Sequence, residues 1–229
     1  MFCMSRQPII AIDGPAGAGK STVTRAFAKY LGLLYLDTGA MYRAVTWLIQ
    51  HKGINPTDEE LIRPLLNNLD LKLHLTANYE QQVSINGYAV TDVIRSPEVT
   101  AHVPSVAAHR CVRNSLTLQQ QKVGKDGGLV AEGRDIGTTV FPYADLKIFL
   151  TATSKERAQR RASDLRARGF KELSLADLEN QIIERDKMDY ARIIAPLTQS
   201  SNAVVVVTDN LNCQQVIQVL IDLFQDQFL

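Results

Sequence analysis

Gly14-Pro15-Ala16-Gly17-Ala18-Gly19-Lys20-Ser21 follows the aliphatic run Ile9 to Ile12 and leads into a helical pattern from Lys20 to Leu31. The octet fits GxxxxGK[ST], and strand, loop, lysine and helix together are the setting in which that spacing cradles phosphate groups. Glycines let backbone N–H groups turn inward and approach an anion, and the following helix adds its positive end. Lys20 reaches the β- and γ-phosphates in such a loop, and Ser21 offers its hydroxyl to Mg²⁺. ATP with magnesium is the implied donor, held by Gly14, Pro15, Ala16, Gly17, Ala18, Gly19, Lys20, Ser21 and Thr22.

Outward from the loop, short β-branched and aliphatic runs alternate with helix-like segments, the pattern of buried parallel strands. Five are expected: Pro8 to Ile12, Leu33 to Leu36, Leu129 to Ala131, Leu146 to Leu150 and Ala203 to Val207. The predicted fold is therefore α/β, a P-loop kinase fold with a five-stranded parallel sheet flanked by helices. Its ligand crevice lies beyond the carboxyl ends of the strands. The alternation of Leu71, Leu73 and Leu75 with Lys72 and His74, and Asn86-Gly87 between Gln82–Ile85 and Tyr88–Val90, predict a small antiparallel insertion at about residues 65–98. The tail from Gln214 to Phe228 spaces Val216, Ile217, Leu220, Ile221 and Phe224 as a packing helix.

Composition narrows the field. The 229 residues carry 25 basic and 24 acidic side chains, a net charge of +1, so no global field recommends nucleic acid or an anionic membrane. Cys3, Cys111 and Cys213 lack the spacing of a disulfide framework or zinc site, and a reducing cytoplasm is the expected location. Apolar stretches are too short to span a bilayer, and no apolar signal region precedes Asp13.

Polar clusters fall where the crevice is expected. Asp37-Thr38-Gly39 follows the second strand, with Thr38 readable either as a ligand contact or as a helix cap. Arg43 is expected in the first turn of the next helix, where a cation opposes the dipole and a bound anion would justify it. Glu132-Gly133-Arg134-Asp135 follows the third strand, readable as ligand contacts or as an Arg134–Asp135 surface pair. Arg157, Arg160, Arg161, Arg166, Arg168 and Lys171 against Asp164 suggest a basic lid hinged at Gly169, closing on a transferring phosphoryl group. Arg157 and Arg161 are assigned to the ATP side. Arg185, Asp189 and Arg192 fall on one helical face, readable as a salt-bridge ladder or as a face reaching a nucleotide. His51, His74, His102 and His109 form no ligand or triad arrangement.

From about Ile9 to Phe224 the chain resembles the bacterial cytidylate kinases, a branch of the nucleoside monophosphate kinase family. Beyond the phosphate loop the resemblance rests on Leu36-Asp37-Thr38-Gly39-Ala40-Met41-Tyr42-Arg43, Ile94-Arg95-Ser96-Pro97-Glu98-Val99, Glu132-Gly133-Arg134-Asp135-Ile136-Gly137-Thr138, and Glu184-Arg185-Asp186 through Arg192 to Ala195-Pro196-Leu197. It implies reversible transfer of the ATP γ-phosphate to CMP or dCMP. It further implies that Arg43, Arg134 and Arg192 hold the acceptor phosphate beside Thr38. Arg185 and Asp189 would meet the sugar, and Arg113 and Asp135 would read the cytosine edge. Lys20, Arg134 and Arg192 become the catalytic residues, Ser21 the Mg²⁺ contact, with Asp37 a further contact through water.

The resemblance also implies one P-loop domain with a core (about 1–64, 99–154 and 186–229), a monophosphate-binding insertion (about 65–98) and a lid (about 155–185), the boundaries carrying the usual looseness of sequence reading. A monomer with small-molecule substrates is the default. One departure is Val103-Pro104-Ser105-Val106-Ala107-Ala108, where the family often places a base-contacting serine at the position of Pro104. Alternative readings are a kinase for UMP, AMP or a hydroxyl-bearing metabolite, the last with Asp37 as base, and a nucleotide-binding module that transfers nothing.

Overall fold

A computed structural model describes residues 6–167, 169–170 and 173–228. Arg168, Lys171 and Cys3 lie outside the described residues. In chain order the elements are β1 (Gln7–Asp13), α1 (Lys20–Leu31), β2 (Leu34–Asp37), α2 (Thr38–His51), α3 (Glu59–Asn67), β3 (Leu71–Leu75), β4 (Gln81–Ile85) and β5 (Tyr88–Ala89). After a short 3₁₀ turn at Val93–Arg95 come α4 (Pro97–Ala108), α5 (Arg110–Val123), β6 (Gly127–Gly133), a π-type turn at Ile136–Val140 and β7 (Leu146–Thr151). The chain continues with α6 (Ser154–Ala167), α7 (Leu175–Tyr190), β8 (Val204–Val207) and α8 (Cys213–Phe228).

Five strands form one parallel sheet in the order β2-β6-β1-β7-β8, as the aliphatic runs predict. Alternate side chains of β1 point to opposite faces. Ile10 and Ile12 pack with Phe27 of α1 and Leu220 of α8 on one side. Ile9 and Ala11 pack with Met41, Val45 and Leu48 of α2 and with α5 on the other. The chain leaves β1 toward β2, on one side of it in the sheet, and returns after β6 to β7 on the other side. β1 is therefore the switch point where connections diverge and a crevice opens. Register brings the polar strand ends level, with Asp13 beside Gly133 and Asp37 beside Glu132.

The insertion contains an antiparallel sheet, β3-β4-β5, whose hairpin turns at Asn86 and Gly87 with φ of 48° and 84°. Two positive φ values in succession are the type I′ geometry anticipated from Asn-Gly. The first hairpin strand begins one residue earlier than expected and the second stops at Ala89, because the Val83 N–H donates to the Thr91 hydroxyl at 2.9 Å, so the pair of Val83 with Val90 keeps only the bond from the Val90 N–H to the Val83 carbonyl. The helices α6 and α7 share a separate small core of Ala158, Leu165, Leu178 and Ile182.

Two placements differ from expectation. Arg43 sits in the second turn of α2, not the first, because the helix already starts at Thr38. Arg192 lies beyond α7, which stops at Tyr190, so the chain bend and not a third helical turn carries it toward Asp189. Pro104 stands inside α4, where it lacks the N–H that a helix residue donates, and Ser105 is half-buried beside it.

Candidate active site

The phosphate loop joins β1 to α1, and its backbone explains its glycines. Gly14 has φ of 148°, and a Cβ there would lie 2.0 Å from the Leu150 carbonyl oxygen of β7, so any larger residue would push the loop off the sheet. Lys20 opens α1, and its buried ammonium donates to the carbonyls of Gly14 and Pro15, each at 2.7 Å. Burial, and then the charge of Arg134, holds its pKa well below that of an ordinary lysine. Ser21 is half-buried and Thr22 exposed at the helix start.

Two acids beside the loop were not assigned a role from the sequence. Asp13 ends β1 and accepts from the N–H groups of Ile136 and Gly137, each at 2.8 Å. Burial still pushes its pKa up to about 6. Glu132 near the end of β6 accepts from the Tyr35 hydroxyl and meets the Ser21 hydroxyl, and burial, with Asp37 nearby, raises it to about 7. The signal available in the sequence was their position at the ends of buried strands, since Asp or Glu next to an aliphatic run is otherwise an odd choice.

Among the described basic lid residues, Arg157 and Arg160 reach the phosphate loop. Arg157, buried, donates to the Ala16 carbonyl at 3.0 Å and to the Ala152 carbonyl at 2.9 Å, and pairs with Asp186 of α7 at 2.7 Å. Arg160 reaches the Ala18 carbonyl at 3.3 Å and the Thr208 carbonyl at 2.7 Å. Arg161 meets Asp164 at 3.1 Å.

On the acceptor side, Asp37 caps α2 by accepting from the Ala40 N–H at 2.9 Å, which settles the capping question in its favour over Thr38. Thr38 instead donates its hydroxyl to the Glu132 carbonyl at 2.7 Å. Arg43 holds the other Asp37 oxygen at 2.7 Å, and Arg95 approaches it at 3.5 Å. Although burial opposes ionisation, these two guanidinium groups keep the Asp37 pKa below the ordinary carboxylate value. Asp37 is thus engaged by a helix end and two arginines, an environment different from that of a magnesium contact.

Arg134 and Asp135 do not pair with each other. Arg134 donates to Asp189 at 2.9 Å, and Asp135 pairs with the buried Arg113, whose guanidinium lies 5.5 Å from the centre of the Tyr42 ring. Arg192 also meets Asp189. Arg185, on the same helix, is pushed down to about 10 by burial and by the Arg134 charge. Against the effect of burial, Arg134, Arg192 and Arg185 hold Asp189 below the ordinary carboxylate range. Three cations around one carboxylate leave a net positive field, and the charges of Arg134 and Asp189 lie near enough to act on the Lys20 ammonium. Such a field suits a dianionic phosphate.

The family model described as cytidylate kinase matches residues 10–226. The chain belongs to the cytidylate kinase family. A bifunctional pantoate ligase/cytidylate kinase from Synechococcus sp. (strain CC9902) is 60% identical over 226 residues, covering 99% of this chain and 47% of that protein. One of the same description from Prochlorococcus marinus (strain MIT 9303) is 61% identical over 226 residues, covering 99% of this chain and 46% of that protein. The chain spans about half the length of the curated relatives it matches. Among solved structures, shikimate kinase from Acinetobacter baumannii in complex with shikimate is 17% identical with a TM-score of 0.47, covering 97% of this chain and 96% of that one. The cytidylate kinase match takes in the phosphate loop, the insertion and every arginine of the acceptor side. No helix among the described residues is long and apolar enough to cross a membrane.

Proposed function

We propose that this chain transfers the γ-phosphate of ATP reversibly to CMP or dCMP, giving ADP and CDP or dCDP. The observation that carries the reading is the cluster of Arg134, Arg185 and Arg192 around Asp189, set opposite Lys20. A phosphate-binding loop alone serves switches and motors as well; a second cationic site facing it calls for a second anion. The family, and the cytidylate kinase description of relatives at about 60% identity, support cytidylate as that anion.

The residues divide the work by chemistry. Gly14 to Thr22 hold the ATP phosphates, with Lys20 neutralising the β and γ groups, and Arg157 and Arg161 attend the same side from α6. Arg43, Arg134 and Arg192 hold the acceptor phosphate with Thr38, and Arg185 and Asp189 meet the sugar. Asp135 accepts from the cytosine amino group, while Arg113 donates to its ring nitrogen and carbonyl oxygen. Uracil reverses part of that pattern, leaving buried polar groups unmatched. The buried Arg113–Asp135 pair supports this division, because both partners are already aligned and desolvated.

The second ionisation of a phosphate monoester lies at about pH 6, so near neutrality the attacking oxygen of the acceptor needs no general base. Its bond to the γ-phosphorus forms as the bond to the β-bridging oxygen breaks, and ADP leaves. Alignment of the two anions and cancellation of their charge by Lys20, Arg134 and Arg192 lower the barrier. The oxygen donors beside the loop, the Ser21 hydroxyl and the Glu132 carboxyl, fit a hard dication. When bound, magnesium supplies further neutralisation of the ATP phosphates.

The reading includes a single P-loop domain of core, insertion and lid, acting as a monomer in the cytoplasm. ADP production from MgATP, measured with CMP, dCMP, UMP and AMP offered separately at equal concentration, tests it. Turnover with CMP or dCMP far above the other two is expected. A preference for UMP or AMP would overturn the base assignment, and no acceptor-dependent turnover would overturn the kinase reading.

A further inference from the structure

The insertion meets the acceptor side through Asp37. Gln81 of β4 brackets the Asp37 peptide, accepting from its N–H at 3.0 Å and donating to its carbonyl at 3.3 Å. Arg95, in the 3₁₀ turn that leaves the insertion, approaches Oδ2 of Asp37 at 3.5 Å, while Arg43 holds that same oxygen at 2.7 Å. Two guanidinium groups therefore share one carboxylate oxygen, one from a core helix and one from the insertion. The nearer one owns it.

Position fixes Arg95 well for a second role. Ile94 beside it is fully buried in the core shared with α2, and Ser96 caps α4 by accepting from the Val99 N–H at 3.3 Å. The Arg95 side chain is 36% exposed, whereas that of Asp37 is 3% exposed. A carboxylate that deeply buried cannot be left without a cation. Arg43 holds Asp37 through one terminal nitrogen while its Nε is buried without a hydrogen-bond partner, so the acceptor phosphate, in the role proposed above, competes with Asp37 for its guanidinium. Arg95 carries the replacement charge and stands within an ångström of hydrogen-bond contact.

We propose that Arg95 is a positioning residue that takes over the Asp37 carboxylate as Arg43 turns to the acceptor phosphate, so that arrival of the acceptor draws the insertion onto the core. The proposal rests on the assignment of Arg43 to that phosphate. It also gives a task to the Ile94-Arg95-Ser96-Pro97 stretch, which the assigned site residues leave unused.

The chain contains one tryptophan, Trp47, and it reports on the relevant junction. Its ring on α2 stacks on His51 at 4.7 Å and lies 5.5 Å from Tyr88 of β5 in the insertion. Titration of the whole chain with CMP, followed by Trp47 emission and by calorimetry, gives binding and insertion movement separately. Wild type should bind CMP with a change in emission. Arg95→Met should lose most of that change and weaken CMP binding about tenfold, a difference of about 1.4 kcal/mol, with ATP affinity unchanged. Arg95→Lys, which keeps the charge, should recover part of both. If wild type binds CMP and Arg95→Met matches it in affinity and emission, the exchange at Asp37 is wrong while the acceptor reading stands. Equal loss of CMP and ATP affinity in Arg95→Met, unrecovered in Arg95→Lys, would make Arg95 a fold residue and overturn the proposal. Absence of CMP binding by wild type would remove the acceptor reading itself, and this exchange with it.

Discussion

At the scale of single residues, the acceptor side is an excess of arginine over carboxylate, and each arginine is placed by the acid it leans on. Arg134 leans on Asp189 with its Nε, leaving the end of its guanidinium free of that carboxylate. Arg134→Ala should lower phosphoryl transfer by about 10²–10³-fold, the usual cost of one transition-state donor, while ATP binding changes little. Steady-state rates beside ATP titration check this, and equal loss of both would contradict it. Asp37 offers a pH test. Its folded-state pKa lies below the ordinary 3.8, so its ionised form stabilises the fold above that value and the contribution is lost as pH falls through the lower folded value. Asp37→Asn should cost on the order of 2 kcal/mol at pH 7, between the values for exposed and buried pairs because Arg43 and Arg95 are partly exposed. The gap from wild type in denaturant midpoint should narrow once pH drops below about 4.

At the scale of elements, the site is where three strand ends meet the starts of α1 and α2 and the end of α7. β1 gives Asp13 and the loop, β2 gives Asp37, and β6 gives Glu132, followed at once by Arg134 and Asp135. None of the proposed site residues lies on α8. Leu220 of α8 is fully buried, and the neighbouring Phe224 meets Phe27 of α1 edge-on at 6.3 Å. Leu220→Ala should therefore destabilise by about 2–5 kcal/mol in denaturant unfolding. The KM for the acceptor should stay near wild type below the melting range, since α8 stands on the sheet face away from α2, α4 and α5, whereas Ala18 of the phosphate loop and Phe27 of α1 share the core of Leu220.

At the scale of the whole molecule, two peripheral units meet the site through charged contacts, although the insertion also buries Val83, Ile85, Val90 and Ile94 in the core shared with α2. The insertion is tied through Asp37 by Arg95 and Gln81, and the α6–α7 pair is tied to the phosphate loop through Arg157 and Arg160. The charged and polar ties can be remade on a phosphate while the apolar contacts stay in place. Small-angle scattering should show a smaller radius of gyration when CMP and a non-hydrolysable ATP analogue are both bound than with either alone. An unchanged profile would mean that the site closes without these units.

The phosphate loop, five parallel strands, the Asn86-Gly87 hairpin and the C-terminal packing helix were legible in the sequence. Each is local: glycines at positive φ, β-branched runs and helical spacing act within a few residues of one another. The list of arginines was legible too, because arginines at strand ends in a chain of net charge +1 stand out. Pairing was not. That Arg134 meets Asp189 and not its neighbour Asp135, that Arg113 meets Asp135, and that Arg95 and Arg43 share Asp37 depends on contacts between residues 6 to 58 positions apart. Burial raises Glu132 and Asp13 only after the sheet has assembled around them. Short-range backbone preference and apolar periodicity determined the elements and their order, because their energies are local. Which charge faces which was decided only by the tertiary structure, because desolvation and ion pairing depend on distances that folding alone creates.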